Sequence, residues 1–130
     1  MWHDIKKQGI DFRLTKRCVL GKAAYFTQNA ELAHRYSKQK QEAAEKSFLE
    51  KNDYLCVILC RVILGNYIKF EGNCNNGGSI SRPPVSNIFT GQLYDAIYSD
   101  KNAMGIQGAD QYAIFNNQQV YPEYVVYYKR

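Results

Sequence analysis

A long apolar run between residues 53 and 70 constrains the fold of this chain more than any other feature. Its alternate positions form two sets: Tyr54, Cys56, Ile58, Cys60, Val62 and Leu64 on one side, and Leu55, Val57, Leu59, Arg61 and Ile63 on the other. Since the side chains of a β-strand point alternately to its two faces, both faces of this segment would be apolar. That pattern is typical of a strand packed on each side. The run therefore predicts a central strand over Asp53–Phe70, covered on both faces.

Length and composition indicate one domain that spans residues 1–130. A chain of 130 residues with 45% hydrophobic residues has the size and composition of an ordinary globular domain. No apolar run approaches the ~20 residues that cross a bilayer, and Met1–Asp4 does not have the pattern of a signal peptide. We therefore expect an intracellular protein, nuclear or cytoplasmic, that does not associate with membranes.

Capping and turn signals place the other elements around the apolar run. Gly9 is typical of a C-cap that closes a short helix at Ile5–Gln8, and Asn29 of an N-cap that begins a second helix. The polar stretch Ser37–Lys51 is either an extension of that helix or a mobile insertion. We predict further strands at Ala23–Thr27, Asp95–Tyr98, Gln111–Phe115 and Tyr124–Lys129. Together these elements favour an α+β domain dominated by antiparallel sheet.

The four cysteines and two histidines do not have the spacing of a metal site or of a Ser/His/Asp or Cys/His nucleophile set. Cys56 and Cys60 are four residues apart on the predicted strand, which places them on the same face. We expect reduced thiols, two of them in the core, and no bound metal.

Positive charge is concentrated at the start of the chain. Residues 1–40 contain nine Lys and Arg against three Asp and Glu, whereas the remainder contains eight against nine. One interpretation is a surface that attracts a phosphate-bearing ligand or nucleic acid. The other is a solvated face whose charge balances a further segment. The alternation of basic and aromatic residues typical of RNA-binding platforms does not accompany this charge.

Six short motifs follow one another along the chain: Ile5–Arg13, Gly21–Phe26, Val62–Tyr67, Arg82–Pro84, Leu93–Asp95 and Gln119–Tyr124. In this order they resemble the catalytic domain of the poly(ADP-ribose) polymerase family, and in particular its mono-ADP-ribosyltransferase branch. The resemblance implies the ADP-ribosyltransferase fold, in which two packed, mainly antiparallel sheets and one or two helices surround an NAD cleft. It also implies transfer of ADP-ribose from NAD to a side chain of an acceptor protein, with release of nicotinamide.

The resemblance assigns NAD binding to Tyr25, Phe26, Ala33 and Tyr36. Gly21–Phe26 is similar to the family's Gly-Lys-Gly-x-Tyr-Phe, whose tyrosine belongs to the catalytic triad and stacks on nicotinamide. A tyrosine face suits a cationic aromatic ring. Tyr36 has the place of the tyrosine on the other side of nicotinamide, and Ala33 replaces a serine that binds the carboxamide. The other interpretation of Tyr25 is a tyrosine of the core.

Counting back from Phe115 and Gln119 puts Gln111 at the third triad position of the family. Polymerising members have a glutamate there, and mono-transferring members have an apolar residue. Glutamine can hydrogen-bond a ribose hydroxyl, but it has no charge to stabilise an oxocarbenium-like transition state. The resemblance therefore predicts mono- rather than poly-ADP-ribosylation. A strand glutamine that faces solvent is the alternative.

The family's first triad position, a His-Gly-Thr strand, has no counterpart in the sequence, and His3 lies too close to Ile5 to replace it. Together with Ala33 and Gln111, this favours a second hypothesis, a catalytically inactive relative that serves as a binding or interaction module. A sheet that lacks this strand would keep an unpaired edge. We therefore expect a chain that is marginally stable or dimerises through that edge.

Overall fold

The computed structural model describes residues 5, 9–11, 20–41, 54–71, 82–102 and 109–129. Within these ranges the chain forms one α-helix, eight strands and a turn of 3-10 helix at Asn117–Gln119. In chain order they are β1 (Ala24–Phe26), α1 (Ala30–Gln41), β2 (Tyr54–Val62), β3 (Tyr67–Lys69), β4 (Val85–Asn87), β5 (Gln92–Leu93), β6 (Ala96–Ser99), β7 (Gln111–Ile114) and β8 (Val120–Lys129). The predicted α+β class, dominated by antiparallel sheet, is confirmed.

A four-stranded sheet with the order β1-β7-β6-β3 forms the centre of the fold. Its β1–β7 and β7–β6 pairs are antiparallel, and β3 lies parallel to β6. The register aligns Tyr25, Ala113, Ile97 and Ile68 in one row across the four strands. Because opposite residues point to the same face, this row lies on one side of the sheet. That side carries the hydrophobic core, in which Leu20, Ala23 and Phe115 join the row.

A second sheet consists of β2 and β8, paired antiparallel from Tyr54–Lys129 to Val62–Val120. The register shifts between Leu59 and Cys60, where Glu123 is the additional residue of β8. Such a bulge increases the local twist of a strand pair. Helix α1 packs on this sheet through Ser37, whose hydroxyl donates to the carbonyl of Cys56 at 2.7 Å.

The prediction of one covered strand over Asp53–Phe70 is wrong in two respects. The segment forms two strands in different sheets, which separate at Gly65, where φ is +60°. The first strand pairs with β8 alone in the described part of the chain, and the Leu59 side chain on it is 54% exposed. Cys56 and Cys60 are only partly buried on this strand and do not belong to the buried core. Apolar alternation shows which residues can be buried, but it does not show how many layers cover them.

Other predicted elements have clearer outcomes. The strand predictions at Ala23–Thr27, Asp95–Tyr98 and Gln111–Phe115 are confirmed to within a residue or two, and the last strand begins earlier than predicted, at Val120. Gly9 has a φ of +75° and donates its N–H to the carbonyl of Ile5, as expected of a helix C-cap. The predictions for His3, Cys18, Cys74 and most of Ser37–Lys51 concern residues outside the described ranges.

A short hairpin of β4 and β5 was not predicted. Its turn at residues 88–91 ends on Gly91, with a φ of +71°, and the side chain of Asn87 accepts from the backbone N–H groups of Phe89 and Thr90. An Asx turn of this kind requires only one polar side chain and one glycine. The segment therefore has the turn residues of a hairpin, but its strands are too short to show the alternation of apolar and polar residues by which a strand is recognised in a sequence.

Candidate functional site

Tyr25 lies in the middle of β1, and its hydroxyl organises the turn that precedes the strand. The hydroxyl accepts the backbone N–H of Leu20 at 2.6 Å and donates to the carbonyl of Gly21 at 2.9 Å. Gly21 has a φ of +105°, which a residue with a side chain rarely adopts. The ring packs partly buried against the core cluster. The motif Gly21–Phe26 therefore folds as a turn closed by its own tyrosine.

Gln111 is the first residue of β7 and lies on the same face of the sheet as Tyr25. Tyr25 pairs with Ala113, which is two residues further along β7, so the alternation of side chains places both on that face. Gln111 is only 6% exposed. The alternative of a glutamine that faces solvent is therefore wrong. The structure brings these two predicted triad residues to one face of neighbouring strands.

Phe26, by contrast, lies on the opposite face of the sheet, where it pairs with Tyr112. On this face the rings of Tyr98 and Tyr112 stack with centroids 5.2 Å apart, and Tyr67 meets Tyr98 edge-on at 6.1 Å. Burial, followed by the charge of Asp110, raises the pKa of both Tyr98 and Tyr112. The structure therefore does not bring Phe26 together with Tyr25 and Gln111.

Ala33 and Tyr36 lie on α1, which is separated from the end of β1 by three residues. The side chain of Asn29 caps this helix by accepting the N–H of Leu32 at 2.9 Å, which confirms the predicted N-cap. His34, on the same helix, lies 3.0 Å from the hydroxyl of Tyr128 through its Nδ1 atom. Tyr36 is 45% exposed, so its ring is accessible to a ligand.

Three of the sequence motifs meet at a junction around Asp95. Its carboxylate accepts the backbone N–H of Asn66 at 2.7 Å, and its own N–H donates to the carbonyl of Asn66 at 2.7 Å. The side-chain amide of Gln119 donates to the carbonyls of Ile63 and Asp95, at 2.9 and 3.1 Å. The junction fixes the start of β6, and through the β6–β7 pairing it fixes the position of Gln111.

An open cleft of about 270 Å³ lies at the start of β7, beside Gln111. It is lined by Gln28, Asn29, Lys101, Ala109 and Asp110. The carbonyl of Asp110 accepts the hydroxyl of Thr27 at 2.7 Å, which ties this edge of the cleft to the end of β1. The cleft does not include Tyr25 or Tyr36, so the site is defined by the strand geometry and not by this cavity.

Two negative findings apply to the described residues. They contain no group of three or more His, Cys, Asp or Glu side chains that could hold a metal ion. None of the helices in these ranges is long and apolar enough to span a membrane.

Ser99 was not predicted as a site residue. It pairs directly with Gln111 across β6 and β7. Ser99 is fully buried. Period-2 alternation through Ala96–Ser99 would have placed this serine on the face of Ile97, but not opposite Gln111. Strand register depends on contacts between distant segments.

Comparison with known proteins decides the family. The sequence model described as "Poly(ADP-ribose) polymerase catalytic domain" matches residues 1–130. The chain belongs to this family. It is 30% identical over 126 residues to the human protein mono-ADP-ribosyltransferase PARP12. The aligned region covers 95% of the chain and 15% of that protein. It is 26% identical over 129 residues to the mouse protein of the same name, with coverage of 95% and 15%.

The resemblance found in the six motifs is therefore confirmed, including its mono-ADP-ribosyltransferase branch. The four-stranded sheet, the β2–β8 pair and the helix are consistent with the ADP-ribosyltransferase fold of this family. The family uses NAD as a substrate. The chain spans about one seventh of the length of the two relatives, so their activity as whole proteins does not transfer directly.

Proposed function

We propose that this chain binds NAD and transfers a single ADP-ribose unit from it to a side chain of an acceptor protein. The observation that carries the proposal is the placement of Tyr25 and Gln111 on one face of two neighbouring strands. Family membership and the mono-ADP-ribosyltransferase relatives support the reaction class.

Tyr25 would hold the nicotinamide end of NAD. Its hydroxyl is engaged by the turn at Leu20 and Gly21, so only the part of the ring that the core cluster does not cover would contact the ligand. A tyrosine ring attracts a cationic aromatic ring through its electron-rich face. Tyr36, which is 45% exposed on α1, would cover the other side of nicotinamide. Ala33 offers no hydroxyl to the carboxamide, which weakens this part of the site.

Gln111 would hydrogen-bond a ribose hydroxyl without supplying charge. The bond between nicotinamide and ribose breaks with positive charge on the sugar, and a nearby carboxylate would stabilise that charge. The carboxamide of Gln111 can stabilise that charge only through its dipole. We therefore expect slow transfer and a product that stops at one unit.

The test is incubation of the chain with NAD labelled on the adenine ring, with free nicotinamide measured in parallel. The expected result is one ADP-ribose unit per modified site and an equal amount of nicotinamide. A ladder of growing polymer would contradict the mono-transfer proposal and would mean that another carboxylate takes the role of a triad glutamate. NAD that stays intact at every enzyme concentration would contradict transfer altogether.

A second candidate function is a catalytically inactive binding module, favoured by Ala33 in place of a serine and by the uncharged Gln111. Groups that act together in catalysis do not lose activity in proportion when one is absent. Isothermal titration with NAD together with the nicotinamide assay separates the two functions, because a binding module shows saturable NAD binding without release of nicotinamide.

The remaining partner assignments stay predictions. The nine Lys and Arg residues at positions 1–40 keep a nucleic-acid partner as an alternative prediction. We also retain the intracellular location as a prediction. Localisation of a tagged chain in cells and a binding titration with single-stranded RNA would test these two points.

A further inference from the structure

Ser99 is a buried polar residue with an unusual environment. Its side chain is fully buried, and its hydroxyl has no hydrogen-bond partner among the described residues. Buried hydroxyls are nearly always hydrogen-bonded, because removal from water without a partner is unfavourable. A core hydroxyl without a partner among the described residues therefore points to a neighbouring side chain that bonds to it in another orientation.

The strand register shows which side chain that partner is. Ser99 pairs with Gln111 across β6 and β7, and opposite residues have Cβ atoms about 4.5–5.5 Å apart. The preceding pair on this face is Ile97 with Ala113, which is apolar. Thr27, near Gln111 at the end of β1, already donates its hydroxyl to the carbonyl of Asp110. Gln111 is thus the polar side chain that faces Ser99 across the strands.

The two ends of a glutamine side chain differ, and a substrate-binding glutamine must present one of them. Its carbonyl oxygen accepts hydrogen bonds and its NH₂ group only donates them. To accept a hydrogen bond from a ribose hydroxyl, Gln111 must turn its oxygen to the ligand. Its NH₂ group then needs a buried acceptor, because leaving it unpaired opposes this orientation.

We propose that Ser99 is a positioning residue that orients Gln111 when NAD is bound. The Ser99 hydroxyl oxygen accepts a hydrogen bond from the Gln111 NH₂ group, and the Gln111 oxygen then accepts one from a ribose hydroxyl. This inference rests on the proposed function, since it assigns a partner to the residue proposed to hold the ribose. It also explains how the side chain of Gln111 can present a hydrogen-bond acceptor to the ribose.

The test compares NAD affinity with ligand-free stability in four variants of the chain. Ser99→Ala should leave the ligand-free melting temperature unchanged or slightly raised, because it removes an unpaired hydroxyl. It should also raise the Kd for NAD roughly three- to tenfold, as expected for one hydrogen bond. Ser99→Ala added to Gln111→Ala should weaken binding no further than Gln111→Ala alone, because the two residues act as one unit.

Ser86→Ala is the matched control. The Ser86 hydroxyl donates to the carbonyl of Gln92 in the β4–β5 hairpin, at 3.0 Å. This variant should lower the ligand-free melting temperature slightly and leave the Kd for NAD unchanged. It distinguishes the loss of any serine hydroxyl from the loss of the one opposite Gln111.

Each outcome has a distinct meaning. If the wild-type chain binds NAD and Ser99→Ala binds it equally well, the role of Ser99 is overturned and the proposed function stands. If the effects of Ser99→Ala and Gln111→Ala on Kd add, Ser99 does not act through Gln111 and the inference is overturned. A wild-type chain without saturable NAD binding would overturn the proposed function, and the inference with it.

Discussion

The carboxylate of Asp95 fills the space beside Gly65 that a side chain at residue 65 would need. A Cβ atom built on Gly65 would lie 2.7 Å from Asp95 Cγ, closer than real Cβ contacts come. The φ of Gly65 is +60°, a conformation that side chains disfavour. The same carboxylate accepts the N–H of Asn66, so glycine permits both the turn and the hydrogen bond.

Gly65→Ala should therefore destabilise the chain by roughly 2–4 kcal/mol, the sum of backbone strain and a displaced hydrogen bond to a charged group. Urea unfolding would measure it. Gly91→Ala is the matched control, because Gly91 also has a positive φ of +71° but no atom of the described residues lies within 4 Å of the position of its Cβ. The control should cost only about 1 kcal/mol. Equal destabilisation by the two substitutions would contradict the role of Asp95.

Tyr25→Phe should lower stability by about 1–3 kcal/mol, although it removes one oxygen atom. The substitution leaves the N–H of the fully buried Leu20 without its partner and breaks the bond to the carbonyl of Gly21. Thermal unfolding measures the effect. Tyr36→Phe, at a side chain that is 45% exposed, should change the free energy of unfolding by less than about 0.5 kcal/mol. If the two variants have the same melting temperature, the hydroxyl of Tyr25 does not close the turn.

Cys60 should react slowly with alkylating reagents, and its rate should keep rising at high pH. Burial raises the pKa of the Cys60 thiol to about 11. Since only the thiolate reacts, its alkylation should increase about tenfold per pH unit between pH 8 and 10, whereas an ordinary thiol levels off near pH 9. Mass spectrometry after iodoacetamide treatment resolves the site. A rate for Cys60 that levels off near pH 9 would show that the thiol is not buried as described.

The same pKa shift links stability to pH. The pKa of Cys60 is higher in the folded chain than the ordinary value of 9.0, so the folded state holds the proton more tightly. The resulting stability is fully present below pH 9 and is lost as the pH rises from 9 to about 11. Cys60→Ala should therefore flatten the decline of the free energy of unfolding in this range. An unchanged slope would contradict the assignment.

Gln111→Glu should increase nicotinamide release from NAD roughly tenfold or more, because it adds a negative charge beside the developing positive charge on ribose. Initial rates of nicotinamide formation provide the measurement. Gln118→Glu makes the same change on the exposed 3-10 helix and should have no effect on the rate. A variant at residue 111 that is no faster than this control would show that the side chain does not face the ribose.

The sequence predicted the local features of the fold well, since their causes are local. The Asn29 cap and the Gly9 C-cap each depend on one residue and its neighbours, and both were found as expected. The strands near Asp95 and Gln111 have enough β-forming residues to be recognised alone. The site residues Tyr25, Tyr36 and Gln111 were predicted differently, from the order of the motifs along the chain. That order identifies the family but gives no information about the distances between the residues.

Features that depend on distant contacts could not be predicted in the same way. The break at Gly65 depends on Asp95, which is 30 positions away in the sequence, and the partial exposure of Leu59 depends on what packs on β2. The pairing of Ser99 with Gln111 is a matter of register. Register and layering are set by the whole fold and not by the period of one segment.

The central claim is that Tyr25, Tyr36 and Gln111 line one NAD site, and a crystal structure of the chain with a non-hydrolysable NAD analogue tests it most directly. We expect nicotinamide between the rings of Tyr25 and Tyr36, and a ribose hydroxyl about 3 Å from the Gln111 side chain. An analogue bound on the other face of the sheet, along Tyr67, Tyr98 and Tyr112, would contradict it. So would Tyr25 and Tyr36 rings more than about 12 Å apart, since aromatic contacts do not reach that far.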